Sequence, residues 1–146
     1  MQLQSPEFSH QQMIPIAYTC KGDNINPPLH IIDVPAGVVS LVLTLFDPDS
    51  PSGKFVHWLL WNIPPNTKEI LPGTAPIESV MGINDFGEAC YGGPCPHQGT
   101  HRYVFDLYAL DIKLETSPQT SHAALLAKIK DHTLAHATLT GIFSAN

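Results

Sequence analysis

Aspartates at positions 47 and 49 flank Pro48 and are followed by Ser50-Pro51. Two carboxylates two residues apart on a proline-stiffened turn can be aimed at a common target, because proline fixes its own φ and removes an amide donor. The same string also makes an ordinary Asx turn, which needs no function. Residues 84–103 read NDFGEACYGGPCPHQGTHRY. Gly92-Gly93 lets the backbone approach a ligand closely, and successive amides on such a loop can form an anion-binding nest. A plain tight connection accounts for the same residues equally well. His101 and Tyr103 follow at a spacing of two, which puts both side chains on one face of a strand. His57 opens a different strand. A pocket at the end of a sheet could collect Asp47, His57, His101 and Tyr103, although any one of these histidines is more often a hydrogen-bonded structural residue. Imidazoles donate hydrogen bonds and carry charge when protonated.

Two other chemistries use the same residues. Ser50, Asp47, His57 and His101 can be read as nucleophile, orienter and base of a hydrolase. Ser50 is wedged between Asp49 and Pro51, however, and no G-x-S-x-G elbow is present. Cys95 and His97, two residues apart on a loop, have no defined Cys-His geometry. His97 and His101 have an H-x3-H spacing beside Cys90 and Cys95, but a zinc site normally needs tighter cysteine pairs. Three cysteines, Cys20, Cys90 and Cys95, are an odd number and do not suggest a disulfide framework. They are read as structural or free thiols, with no metal and no cofactor.

These side chains need rigid strands to hold them. Fourteen prolines are spread through the chain, and proline is excluded from helix interiors and central strands. Between them, residues 38–46 (VVSLVLTLF), 57–63 (HWLLWNI) and 102–110 (RYVFDLYAL) read as buried strands. Weaker strand signals cover residues 14–18, 30–34 and 79–83, and residues 137–143 could add one more. Strict alternation from His57 puts Trp61 on its face and Trp58 on the opposite one. Helix is expected only late. Thr120 or Ser121 can cap a start, and HAALLAKIKDHTLAHA from residue 122 is free of Pro and Gly, with a break expected near Asp131. Leu125, Leu126 and Ile129 lie at helical spacing, as core residues do.

Composition narrows the partners. Hydrophobic residues make up 43% and charged residues 14% of 146 residues, which fits one domain over residues 1–146 with a real core. A formal net charge of −6 without a basic run excludes nucleic acid as the expected partner and disfavours an acidic lipid surface. Eight histidines against seven lysines and arginines make pocket charge sensitive to pH. No apolar run reaches the roughly 20 residues that span a bilayer. Residues 1–10 lack the charge and apolar core of a secretory signal, so the expected location is the cytoplasm.

The chain resembles the phosphatidylethanolamine-binding (Raf-kinase-inhibitor-like) family, in particular its bacterial branch. The resemblance rests on NINPPL at residues 24–29, DPDSPSGKFVHWLLWNIP at 47–64 and NDFG at 84–87. It continues with YGGPCP at 91–96, HRYVFDLYAL at 101–110 and LTG at 139–141. Order and spacing match over nearly the whole chain.

The resemblance implies a mainly β fold. In it a large antiparallel sheet packs on a smaller one as a sandwich, with one or two short helices near the C-terminus. It further implies a binding protein, not an enzyme, with a pocket at one end of the large sheet for phosphate or a phospholipid head group. Carried over by position, the lining would be Asp47, His57, Tyr91, Gly92, Gly93, Pro94, His101 and Tyr103, with Trp58 or Trp61 among the walls. The Gly92-Gly93 amides would donate, Asp47 would orient a histidine, and Asp49 would shape the turn. A protein partner such as a kinase belongs to some members, and the bacterial branch suggests a homodimer. Animal members carry a C-terminal helix over the pocket. Here the sequence ends soon after residues 141–143, and the 65–77 loop is short, so the pocket is expected to be more open or to be covered by a second subunit. Lys21 and Asn26 replace an aspartate and a serine of the bacterial pattern, away from the expected pocket.

Overall fold

The computed structural model describes residues 1–145. The chain builds two antiparallel sheets. The smaller contains β1 (Gln2–Gln4), β2 (Leu29–Ile32) and β5 (Glu69–Ile70) in the order β1-β2-β5. The larger contains β3 (Ser40–Ser50), β4 (Gly53–Ile63), β6 (Val80–Met81), β7 (Thr100–Leu110) and β8 (Thr133–Ser144) in the order β6-β4-β3-β7-β8. The mainly β architecture expected from the sequence is therefore present.

Both faces of the large sheet are covered, which is why β3 reads as an almost unbroken apolar run. Leu41, Leu43 and Leu45 point between the sheets, toward Leu3, Leu29, Ile31 and Ile70. Val42 points the other way and joins Leu59, Trp61 and Leu110 beneath the helix α1 (His122–Ile129), whose Leu125 and Ile129 are buried. The Ser121 hydroxyl accepts from the Ala124 amide at 3.1 Å and so caps α1. The helix ends at Ile129, and β8 begins at Thr133. The β-branched Thr133, together with the paired positions of β7 available to it, takes the chain out of helix earlier than composition alone suggests.

Two expectations fail locally. Residues 14–18 form no strand: a 3-10 turn occupies Ile16–Tyr18. The segment before it lies along β8, where the Ile14 amide donates to the Ile142 carbonyl at 2.9 Å. Strict alternation in β4 also fails. Leu45 pairs with Trp58 but Phe46 pairs with Val56, so His57 is an extra residue in β4. This is a β-bulge, and it turns two consecutive side chains toward the same side. Val56, Leu59 and Trp61 pack under the helix, whereas Trp58 packs between the sheets. The His57 ring lies against Tyr103 of the inter-sheet cluster, with centroids 5.4 Å apart. His57 therefore shares its side with Trp58, not with Trp61.

Candidate functional site

The inter-sheet layer becomes polar at one end. Along β3, Leu43 and Leu45 are followed at the same parity by Asp47. Along β7, in the opposite direction, Phe105 and Tyr103 are followed by His101. The bulge adds His57 from β4. Asp47, His57 and His101, from three adjacent strands, line a cavity of about 480 Å³ with Ser50, Pro51, Ser52, Phe55, Asp85, Phe86, Cys95, Pro96 and His97. A groove of about 530 Å³ between β1 and β8 is slightly larger, but its one histidine, His10, already accepts from the Thr140 amide. The smaller cavity carries the chemistry.

Both histidines are fixed through Nδ1. His101 Nδ1 donates to Asp47 Oδ2 at 2.7 Å, and His57 Nδ1 donates to the Gly92 carbonyl at 2.6 Å. Nε2 is thus the free ring nitrogen on each. Asp47, 4% exposed, is oriented in turn by the Asp49 amide on Oδ1 at 2.7 Å. Burial pushes the His57 imidazole below its ordinary value, against smaller opposing contributions from the Gly92 carbonyl and Asp47. At neutral pH it is the uncharged tautomer, with Nε2 as an acceptor. Asp49 faces away, where the Arg102 side chain and amide hold its carboxyl down to about 2. It braces the β3–β7 corner and does not line the cavity.

The glycine loop plays a different part from the one expected. The Gly92 amide donates to the His57 carbonyl at 3.0 Å, and the Gly93 amide donates to Asn24 Oδ1 at 2.8 Å. Both are consumed within the protein, so the expected pair of free amide donors is not formed. Gly92 contributes its carbonyl instead, and close packing requires it to be glycine: a Cβ there would lie 2.4 Å from the Phe86 ring. Tyr91, Gly92 and Gly93 line a neighbouring cavity of about 190 Å³ shared with Phe86 and Cys95. The buried Tyr91 hydroxyl donates to the Tyr18 carbonyl at 2.7 Å. Pro94 is buried and its carbonyl accepts from the Cys20 amide at 3.1 Å. Tyr103 is fully buried behind the two histidines, with no hydrogen-bond partner for its hydroxyl.

Neither tryptophan forms a wall of this cavity. Phe55 and Phe86 do, edge to face with centroids 4.9 Å apart, and Phe86 is 48% exposed at the mouth. Asn84 sets Phe86 by accepting from the Phe86 and Glu88 amides while donating to the Cys90 carbonyl. Asp85, whose Oδ2 accepts from the Val56 amide at 2.6 Å, adds a second carboxylate. Phe55, Asp85 and Phe86 were missed in the sequence. The Asn-Asp-Phe-Gly turn was the available signal.

The cysteines require the largest correction. Cys20 and Cys95, 75 residues apart in sequence, form a disulfide, and Cys90 is free. An odd count concealed one pair and one leftover thiol. The bond takes Cys95 out of any Cys-His reading. Among the described residues, no group of three or more His, Cys, Asp or Glu side chains is arranged to hold a metal ion. Ser50 and Ser52 line the cavity, but their hydroxyls bond to each other at 3.1 Å and not to a histidine. No helix among the described residues is long and apolar enough to cross a membrane.

Comparisons with known proteins agree with this architecture. Residues 4–144 match a family model described as phosphatidylethanolamine-binding protein. A UPF0098 protein of Methanothermobacter thermautotrophicus is 43% identical over 148 residues, covering 98% of each chain. A UPF0098 protein of Chlamydia trachomatis is 40% identical over 148 residues, again covering 98% of each. The crystal structure of a Chlamydia trachomatis phosphatidylethanolamine-binding-protein homologue superposes with a TM-score of 0.94 at 37% identity, covering 99% of this chain and 97% of that one. The structure of E. coli YbcL, described as a member of the mammalian family, gives 0.92 at 28% identity, covering 99% and 98%.

Proposed function

Because this chain belongs to the phosphatidylethanolamine-binding protein family, we propose that it is a binding protein whose cavity at Asp47, His57 and His101 captures a small phosphorylated group. That group would be inorganic phosphate or the head group of a phospholipid. The observation that carries the reading is the orientation of the two imidazoles. Each is held at Nδ1 by a protein acceptor, which leaves two Nε2 atoms free at one cavity.

The geometry also bears on the protonation of the complex. With the glycine amides consumed, the anion would be held through imidazole. Neutral His57 offers Nε2 as an acceptor to a phosphate that still carries a P–O–H. His101, held at Nδ1 by the Asp47 carboxylate, presents its Nε2 to the same ligand. Asp47 and Asp85 disfavour a fully deprotonated phosphate and favour a ligand that brings protons or a cationic amine. Binding would thus tighten as pH falls.

A protein partner such as a kinase, engaged at the cavity mouth, and a homodimer that covers the mouth are further elements of the proposal. So are the absence of enzymatic activity and a cytoplasmic location. Titration of phosphate and phosphoethanolamine at pH 6 and pH 8, followed by NMR, tests the core of it. The ring signals of His57 and His101 should move together and saturate, with tighter binding at pH 6. If neither ring responds up to millimolar ligand, the cavity is not the binding site.

A further inference from the structure

We propose that the Cys20–Cys95 disulfide is a redox tether for one wall of the cavity, so that its reduction loosens residues 95–98 and weakens ligand capture without unfolding the sheets. The inference rests on the reading of this cavity as the ligand site. Three observations carry it.

Position comes first. Cys95, Pro96 and His97 form one wall of the 480 Å³ cavity, and Cys95 also lines the adjoining 190 Å³ cavity beside Gly92 and Gly93. The second is the distribution of anchors. The loop before Cys95 is pinned repeatedly: Tyr91 to the Tyr18 carbonyl, Gly92 to the His57 carbonyl, Gly93 to Asn24 and Pro94 to the Cys20 amide. The chain after it is pinned again at Gly99, whose carbonyl accepts from the Ala145 amide at 3.0 Å. Between them, among the described residues, residues 96–98 close no hydrogen bond of standard geometry. The disulfide is what holds that wall to the turn at Cys20. Access is the third. Cys20 and Cys95 are both exposed, so a thiol in solution can reach the bond.

The chemistry balances with a small thiol or dithiol as reductant. A thiolate attacks one sulfur of the bond, a mixed disulfide forms there, and the other cysteine leaves as a thiolate that takes up a proton. A second thiol attacks the mixed disulfide, returns the protein cysteine and leaves as the oxidised reductant. Two electrons pass to the protein. In the cytoplasmic setting proposed above, the thiol pool would set the fraction of tethered protein.

The test uses the full chain labelled with ¹⁵N, oxidised and then reduced with dithiothreitol, with Cys90→Ser as a control for the free thiol. Backbone relaxation is measured first, without ligand. On reduction, the amides of Cys95, His97 and Gln98 should gain fast motion while Leu43, Leu45 and Phe105 keep their native shifts, and reoxidation should reverse the change. Unchanged relaxation of Cys95, His97 and Gln98 overturns the tether. So does the loss of native signals throughout, which would make the bond a staple of the whole fold. Phosphate is then titrated into both forms, and reduction should raise its Kd by at least about threefold, or some 0.7 kcal/mol. Equal affinities would overturn the functional half of the inference. If oxidised protein does not bind phosphate at all, the ligand reading fails, and the relaxation data still decide whether the tether exists.

Discussion

Replacing His122 by leucine should remove a specific, pH-dependent weakness of the fold. His122 begins α1, is 7% exposed, and packs its ring on Phe46 with centroids 5.4 Å apart. Its Nε2 is buried without a partner. Burial, reinforced by the nearby Lys54 ammonium, pulls its pKa from 6.5 to about 4. The folded-state value lies below the unfolded one, so folding excludes a proton that the unfolded chain accepts. The associated stability is fully present above pH 6.5 and is lost as pH falls toward 4. Between pH 7.5 and pH 4.5 the full shift corresponds to about 2.5 kcal/mol. Partial solvent access to the ring edge reduces that to about 1.5–2 kcal/mol. Urea denaturation of wild type and His122→Leu at both pH values isolates the effect, because every other titrating group is common to the two proteins. Wild type should lose about 1.5–2 kcal/mol more than the variant on acidification. Losses that agree within about 0.5 kcal/mol would refute the assignment of this histidine as a buried neutral group.

Two further substitutions probe the cavity. Gly92→Ala places a methyl group 2.4 Å from Phe86. The half-exposed ring should swing outward and abandon its contacts with Phe55 and His57, at a cost of about 1–2 kcal/mol. Altered ring-current shifts at His57 check this, and an unmoved Phe86 contradicts it. Asp47→Asn replaces the charge-assisted bond to His101 with a neutral one at best, which should cost about 1.5 kcal/mol of stability. Histidine ¹⁵N shifts should show His101 with a mixed tautomer population. A single unchanged tautomer would show that Asp47 does not orient the ring.

How much could be read in advance depended on the range of the interaction. The runs at residues 38–46, 57–63 and 102–110 are strands because apolar and β-branched residues between prolines have few other uses, and those signals are local. Asp47, His57 and His101 could be nominated because each borders such a run, and they do meet in one cavity. Residues 14–18 have strand-forming side chains, yet the turn they adopt depends on the β8 edge they lie against, which is remote in sequence. The disulfide likewise joins residues 75 apart, and nothing near Cys20 indicates its partner. The glycine amides were legible as donors, but their acceptors, the His57 carbonyl and Asn24, were not. The tryptophan assignment failed because alternation assumes one residue per step, and β4 breaks that count at His57.

That broken count concerns insertion and deletion more than substitution. Exchanging side chains in a regular β4 would not reproduce this site, since any residue at the regular position would face the helix layer. One added residue changes the outcome by moving the phase of everything that follows it. A deletion scan along β4 should therefore be sharply uneven. Removing His57 would leave Val56 and Trp58 on their existing sides, with the strand repaired to regular alternation and the cavity emptied of one imidazole. Removing Leu59 instead would push Trp58 or Leu60 into the wrong layer. For anyone transplanting the cavity into another sandwich, the unit to move is the frameshift together with its histidine.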